Sequence, residues 1–192
     1  VKSKPVIHPS FPEGVPDLFE LPYTFAIDTF INYFEAHKSR GLHNQLSLKY
    51  RPGKAVYQDG CGIAYNLKTH EKTFCESEFT SYNPDLPQDI LTALKKIEAI
   101  AQEEFGFRIG RVRLINLKFK TCLSLHVDYD GFRLHIPIIT NPKCFFVVKD
   151  QLYKMPNQGS LYFLNTKELH TAVNASFSYD RLHLVCGTYS DD

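Results

Sequence analysis

Two histidines, an aspartate and an arginine stand in the C-terminal half of this chain where one site could use them all. His126 and Asp128 lie in the run LSLHVDYDGFRLHIPI, and if that backbone is extended their side chains, at i and i+2, leave the same face while Val127 faces away. His170 returns in LHTAVN after a stretch long enough for several strands, and Arg181 follows it at hairpin distance. Two imidazoles and one carboxylate with open positions between them form the facial donor set of non-haem Fe(II) sites. An aspartate inside an apolar strand also needs a partner, and a metal ion is one. Asp130 offers a second carboxylate, but at i+4 it stands one more pleat from His126, so Asp128 is the expected ligand.

The cations have a pattern of their own. Arg181, Leu182, His183, Leu184 and Val185 alternate, so Arg181 and His183 share one face and the leucines the other. Arg133, Leu134 and His135 repeat the order on an earlier segment. A structural ion pair would explain either pair by itself. Two such pairs near a metal also match a small dicarboxylate, because the planar guanidinium fork grips a carboxylate through two hydrogen bonds.

These residues need a rigid frame. From Thr24 onward, Ile27, Phe30, Ile31 and Phe34 recur with helical period and Gly41 stops the run. A second helix starts near Pro87, carries Ile90, Leu94, Ile97, Ala101 and Phe105, and ends at Gly106. Beyond it the period falls to two. Strands are expected at 112–119, 124–127, 132–139, 144–149, 160–164, 171–174 and 181–188, with turns at Asp130-Gly131, Asn141-Pro142 and 157–159. Val112 and Leu114 are out of phase with Leu117 and Phe119, which suggests a bulge between Leu114 and Ile115. The first 22 residues hold five prolines and read as an extended surface arm, and 46–79 gives short strands and loops without clear order. Many short strands with two supporting helices point to a mainly β chain folded as a double-sheet jelly roll. One domain over 1–192 is expected, with 1–110 as a mixed supporting region and 111–190 as the jelly-roll core holding the metal.

Composition narrows the functional classes. The 192 residues are 43% hydrophobic and 22% charged with a net charge of +1, and no basic stripe is present to neutralise a phosphate backbone, which argues against nucleic acid. No apolar run reaches the roughly 20 residues of a membrane span, and the proline-broken start lacks a signal peptide's apolar core. Five dispersed cysteines without CxxC suit a reducing compartment, so a cytoplasmic protein is expected. By the same argument Asn174-Ala-Ser176 is a chance match to the glycosylation pattern.

Taken together, RVRLINLKF, HVDYD, FRLHIPIITNPKCFFVV, YKMPNQGSLYFLN, LHTAVN and DRLHLV, from Arg111 to Leu184, resemble the aspartyl/asparaginyl β-hydroxylase-like Fe(II)/2-oxoglutarate dioxygenases, including their bacterial proline-hydroxylase branch. The resemblance implies a double-stranded β-helix, cupin-like, with Fe(II), 2-oxoglutarate and O2 as cofactor and cosubstrates. It places His126, Asp128 and His170 on the iron ligands and Arg181 on the residue that grips the distal carboxylate of 2-oxoglutarate. Arg133 and His135 fall on an R-x-H motif against the cosubstrate; His183, which alternation sets on the face of Arg181, is a further candidate for cosubstrate binding. The animal members lack the acidic ligand that HxD supplies here, and the family's usual tryptophans are absent because the chain has none. The implied activity is hydroxylation of an unactivated C–H bond. The substrate is expected to be a free amino acid or other small molecule, held in part by Gln58, Tyr65 and Asn66 from a closing segment at 56–66; Asp or Asn in a peptide or protein is the alternative. A non-catalytic cupin-like binding module is a second alternative, since fold does not dictate function. Halogenation is disfavoured by the carboxylate at Asp128.

Overall fold

The computed structural model describes residues 15–64, 69, 71–128 and 131–190. Asp130, Tyr65, Asn66 and most of the proline-rich start therefore lie outside the described residues. The strands are β1 (Leu18–Thr24), β2 (Gln45–Ser47), β3 (Lys49–Tyr50), β4 (Ser81–Tyr82), β5 (Arg108–Leu117), β6 (Thr121–Cys122), β7 (Arg133–Ile139), β8 (Cys144–Val148), β9 (Gln151–Tyr153), β10 (Ser160–Leu164), β11 (His170–Asn174) and β12 (Arg181–Tyr189). The helices are α1 (Asp28–His37) and α2 (Gln88–Phe105).

Both helices form where the apolar period put them. Helix α2 follows Pro87 and stops at Gly106, whose φ of 69° lets Phe107 N–H reach Ala101 O and Gly106 N–H reach Gln102 O. That satisfies carbonyls a helix end otherwise leaves bare. Phe30, Tyr33 and Phe34 of α1 and Ile90, Leu94, Ile97 and Ile100 of α2 are buried against one face of the larger sheet.

That sheet is antiparallel with order β1-β10-β7-β12-β5-β2, and a second sheet has order β6-β11-β8-β9. After β7 the chain passes to β8 and β9 in the smaller sheet, returns as β10, crosses to β11 and returns as β12. This alternation between facing sheets is the jelly roll expected from the strand pattern. One core lies between the larger sheet and the helices, through Leu114, Leu134, Ile136, Phe163 and Leu184; a smaller one lies between the sheets, through Leu117, Phe146, Val148, Leu164 and Ala172.

Three expectations are corrected. The proline-rich start is not all surface arm: Leu18–Thr24 pairs with β10 along one edge of the larger sheet. The phase change after Leu114 is not a bulge, because β12 pairs β5 without interruption from Arg181↔Leu117 to Cys186↔Val112. Val112 and Leu114 simply face the helical core while Leu117 faces the core between the sheets, so a strand buried on both sides carries apolar residues in both phases. The irregularity comes later, between Cys186 and Thr188. Finally, 124–127 is not a regular strand. Leu123 N–H bonds to Ala172 O, His126 and His170 exchange both backbone bonds, and Asp128 N–H bonds to Thr166 O, a spacing that keeps step with β11 only at the histidine pair.

Leu184 is fully buried at the centre of the larger sheet. Leu184→Ala is expected to cost about 3 kcal/mol, read as a lower urea midpoint with unchanged slope.

Candidate metal and cosubstrate site

Alternation along three adjacent strands puts polar side chains on the inner face of the larger sheet. On β7, Arg133 and His135 point inward while Leu134 and Ile136 enter the helical core; on β12, Arg181 does so while Leu182 and Leu184 are core; on β5, Arg111 and Arg113 do so while Val112 and Leu114 are core. Together with the 123–128 segment and β11 they line a cavity of about 550 Å³.

At one end of it, ligand atoms of His126, Asp128 and His170 all lie within 4.8 Å of one another. The paired backbone bonds between His126 and His170 bring the two rings to 4.3 Å between centroids, and the next bond, Asp128 to Thr166, turns the carboxylate toward them. His126 Nδ1 lies 2.6 Å from Ser124 O and His170 Nδ1 lies 2.9 Å from Glu168 O. A carbonyl only accepts, so each Nδ1 carries the proton and each Nε2 keeps a lone pair for a metal, the outer-shell arrangement of histidine ligands. Burial pushes the His170 pKa down, which favours the same neutral form. Burial alone would raise the Asp128 pKa, but Arg133 and the two histidines more than offset it and keep the carboxyl below its ordinary value. The donor set is thus two imidazoles and one carboxylate, which fits Fe(II).

Arg133 does not stand free in the cavity. Its Nε lies 3.2 Å from Asp128 Oδ2, its NH2 3.4 Å from Glu76 Oε1, and its NH1 donates to Phe132 O. Glu76 is the residue that sequence reasoning missed. It is 2% exposed, accepts from Arg111 NH2 at 2.8 Å, Arg111 Nε at 2.9 Å and Arg111 N–H at 2.7 Å, and bridges Arg111 to Arg133. Gly110 and Gly187 make its seat: a Cβ on either would stand 2.5 Å from Glu76 atoms, and Gly187 falls inside the register irregularity of β12. Two arginines at alternate positions of a buried strand signal that a buried acid exists, but not which one.

Arg181 is different. It is 4% exposed, no acidic side chain among the described residues pairs with it, and its Nε has no hydrogen-bond partner. Burial pushes its pKa down to about 10, so it remains charged at neutral pH. Its NH2 donates to His183 Nδ1 at 3.0 Å and its guanidinium lies 4.7 Å from the centre of the Phe146 ring. Because His183 Nδ1 accepts, the proton of the neutral ring sits on Nε2, which also lacks a partner. His183 supports Arg181 from behind and is not part of the cavity wall, whereas His135 is. Burial, then Arg181, holds the pKa values of His135 and His183 well below the ordinary one. Of the loop residues suggested for the substrate, Gln58 donates to Arg40 O and does not line the cavity, although Gly62, Ile63 and Ala64 nearby do. Asn174 is fully buried, donating to Leu117 O and Tyr179 O and accepting from Ser176 N–H, so its role is to brace the turn into β12.

A jelly roll with a His-Asp-His triad inside it defines a metal-dependent oxygenase of the 2-oxoglutarate type, with Fe(II), 2-oxoglutarate and O2 as its cofactor and cosubstrates. The family model described as "Aspartyl/Asparaginyl beta-hydroxylase" matches residues 76–190, and the chain belongs to that family. It is accordingly a 2-oxoglutarate-dependent dioxygenase of the hydroxylase type. Among curated proteins none matches its sequence. Similar solved structures include the truncated viral collagen prolyl hydroxylase of Paramecium Bursaria Chlorella virus-1, at 11% identity and a TM-score of 0.57, covering 98% of this chain and 100% of that one. A 2OG-Fe(II) oxygenase family oxidoreductase from Burkholderia pseudomallei follows at 14% identity and a TM-score of 0.55, covering 90% of this chain and 85% of that one. These likenesses support the fold. The family match starts at Glu76, well before the motifs that carry the resemblance in the sequence.

Glu76→Gln leaves the buried Arg111 without a counter-charge and Arg133 with Asp128 alone, and a loss of about 3–5 kcal/mol is expected. The pH dependence has a definite sign. Burial raises the Glu76 pKa, Arg111 and Arg133 more than offset that, and the folded value lies below 4.5. Its contribution is therefore fully present above 4.5 and fades as pH falls through the depressed folded value. Urea titrations of parent and variant should show a stability gap at neutral pH that narrows in acid.

Proposed function

We propose that His126, Asp128 and His170 hold Fe(II), that Arg181 anchors the distal carboxylate of 2-oxoglutarate, and that the protein hydroxylates a free amino acid or similar small molecule. The single observation behind the cosubstrate assignment is Arg181, a buried cation with an unpartnered donor and no acid beside it among the described residues. A buried charge in that state costs several kcal/mol, and a carboxylate presented to its fork removes the penalty. When bound, Fe(II) with 2-oxoglutarate and O2 supplies the oxidant for a C–H bond, while 2-oxoglutarate loses CO2 to become succinate.

The chain's own side chains set the conditions for that chemistry. Ser124 and Glu168 carbonyls fix the histidine rings with Nε2 toward the metal position. Arg133 keeps Asp128 ionised, and Glu76 keeps Arg133 in place. His183 restricts the guanidinium of Arg181 from one side and Phe146 from its face. Apolar walls from Leu117, Phe146 and Leu164 exclude water around the cosubstrate position. A cavity of about 550 Å³ falls in the range of small-molecule pockets and suits a five-carbon acid with a compact second substrate. The five free thiols agree with a cytoplasmic setting.

Asp128→Ala should abolish succinate formation with iron, ascorbate and 2-oxoglutarate supplied. Undiminished turnover would remove Asp128 from the ligand set. Arg181→Lys keeps the charge but loses the fork, and a rise of about tenfold or more in the KM for 2-oxoglutarate is expected with Fe(II) affinity little changed.

A further inference from the structure

The cavity holds a second uncompensated cation. On the inner face, β12 sets the rows: His135 and Arg113 both face Val185 from its two sides, while Arg181 lies opposite Leu117. Arg113 is therefore four residues along the strands from the level of Arg181, roughly 13 Å, and two strand spacings, roughly 10 Å, across from the backbone of His135. It belongs to a different corner, walled by His43, Gln45, Gly62 and Ile63.

Arg113 is 7% exposed, and its Nε is buried without a hydrogen-bond partner. Its NH1 donates to Gln45 Oε1 at 2.9 Å and weakly to Gly60 O at 3.4 Å. Gln45 Oε1 is itself held by Gly62 N–H at 3.1 Å, so the guanidinium is steered by a fixed acceptor. No carboxylate among the described residues pairs with it, since Glu76 is taken by Arg111 and Arg133. Arg111, Arg113 and Arg133 thus share two carboxylates, Glu76 and Asp128, and one positive charge is left over on the cavity wall.

We propose that Arg113 anchors a carboxylate of the primary substrate, so that the molecule hydroxylated is a carboxylic acid lying across β12 with its far end toward His126, Asp128 and His170. This rests on the dioxygenase reading. One unmatched guanidinium suits the single charge of a carboxylate, whereas a phosphate near two charges would call for a further cation. The spacing of roughly 10 Å across β12 sets the scale of such a molecule as that of a small acid.

The test is a calorimetric titration without oxygen. The Fe(II) protein is first titrated with 2-oxoglutarate, and the loaded protein then with L-proline, L-leucine and L-glutamate, each against its α-amide, with L-aspartate against L-asparagine, and with glycerol 3-phosphate. At least one acid should bind about tenfold or more tightly than its amide, a comparison made in the parent protein and independent of any folding defect. Arg113→Gln should erase that preference, and Arg113→Lys should keep part of it. Amides binding as well as every acid would overturn the proposal, as would a preference that survives in Arg113→Gln or tighter binding of glycerol 3-phosphate. Failure of the Fe(II) protein to bind 2-oxoglutarate would instead overturn the dioxygenase reading itself.

Discussion

One buried carboxylate holds the charged interior together. Glu76 comes from a short turn far from the metal-ligand segments, yet it binds Arg111 through both backbone and guanidinium and reaches Arg133, which in turn touches Asp128. Several kcal/mol of desolvation attend each of these ions, and only mutual pairing makes their burial tolerable. The fold makes room for the acid in an economical way. Two glycines on neighbouring strands and a register irregularity open a notch that side chains would otherwise fill. Remove the acid and the error propagates along the chain of contacts to the Asp128 carboxylate.

Much of this was legible from residue order because the inner and outer faces of a strand follow a period of two. Arg181-Leu182-His183-Leu184 and Arg133-Leu134-His135 announced a polar inner face and an apolar outer one, and both lie that way. HxD and the later histidine do converge, and Pro87 and Gly106 do bound the second helix. What escaped was whatever depends on pairing between distant segments. Two arginines on β5 state a demand for an anion, but several acids could have met it, and only the folded chain selects Glu76. The edge strand β1 hid behind five prolines in the first 22 residues, although its own edge position spares it the hydrogen bonds a central strand would need. The ligand segment itself was expected as a regular strand and is not one. Its spacing along β11 matches only at His126 and His170, and that mismatch aims Asp128.

The remaining cations describe the cavity better than its walls do. Arg133 is paired with protein carboxylates, Arg181 and Arg113 have none among the described residues, and they occupy different corners. A protein that buries charge without compensation stores free energy that a ligand of opposite sign can release. Both cations line one cavity, and the neutral histidines beside Arg181 add no repulsion.

The two-faced strands of the larger sheet have a consequence for how such a chain can diverge. On β5, β7 and β12, residues that pack against the helices and residues that line the cavity occupy alternate positions. Substitutions on the two faces are separated by a backbone and should be close to additive. Descendants of one ancestral sequence could therefore exchange the cation at position 113 for another side chain, alter what the cavity admits, and leave Leu114 and Leu184 unchanged. The apolar register can outlast many changes of diet.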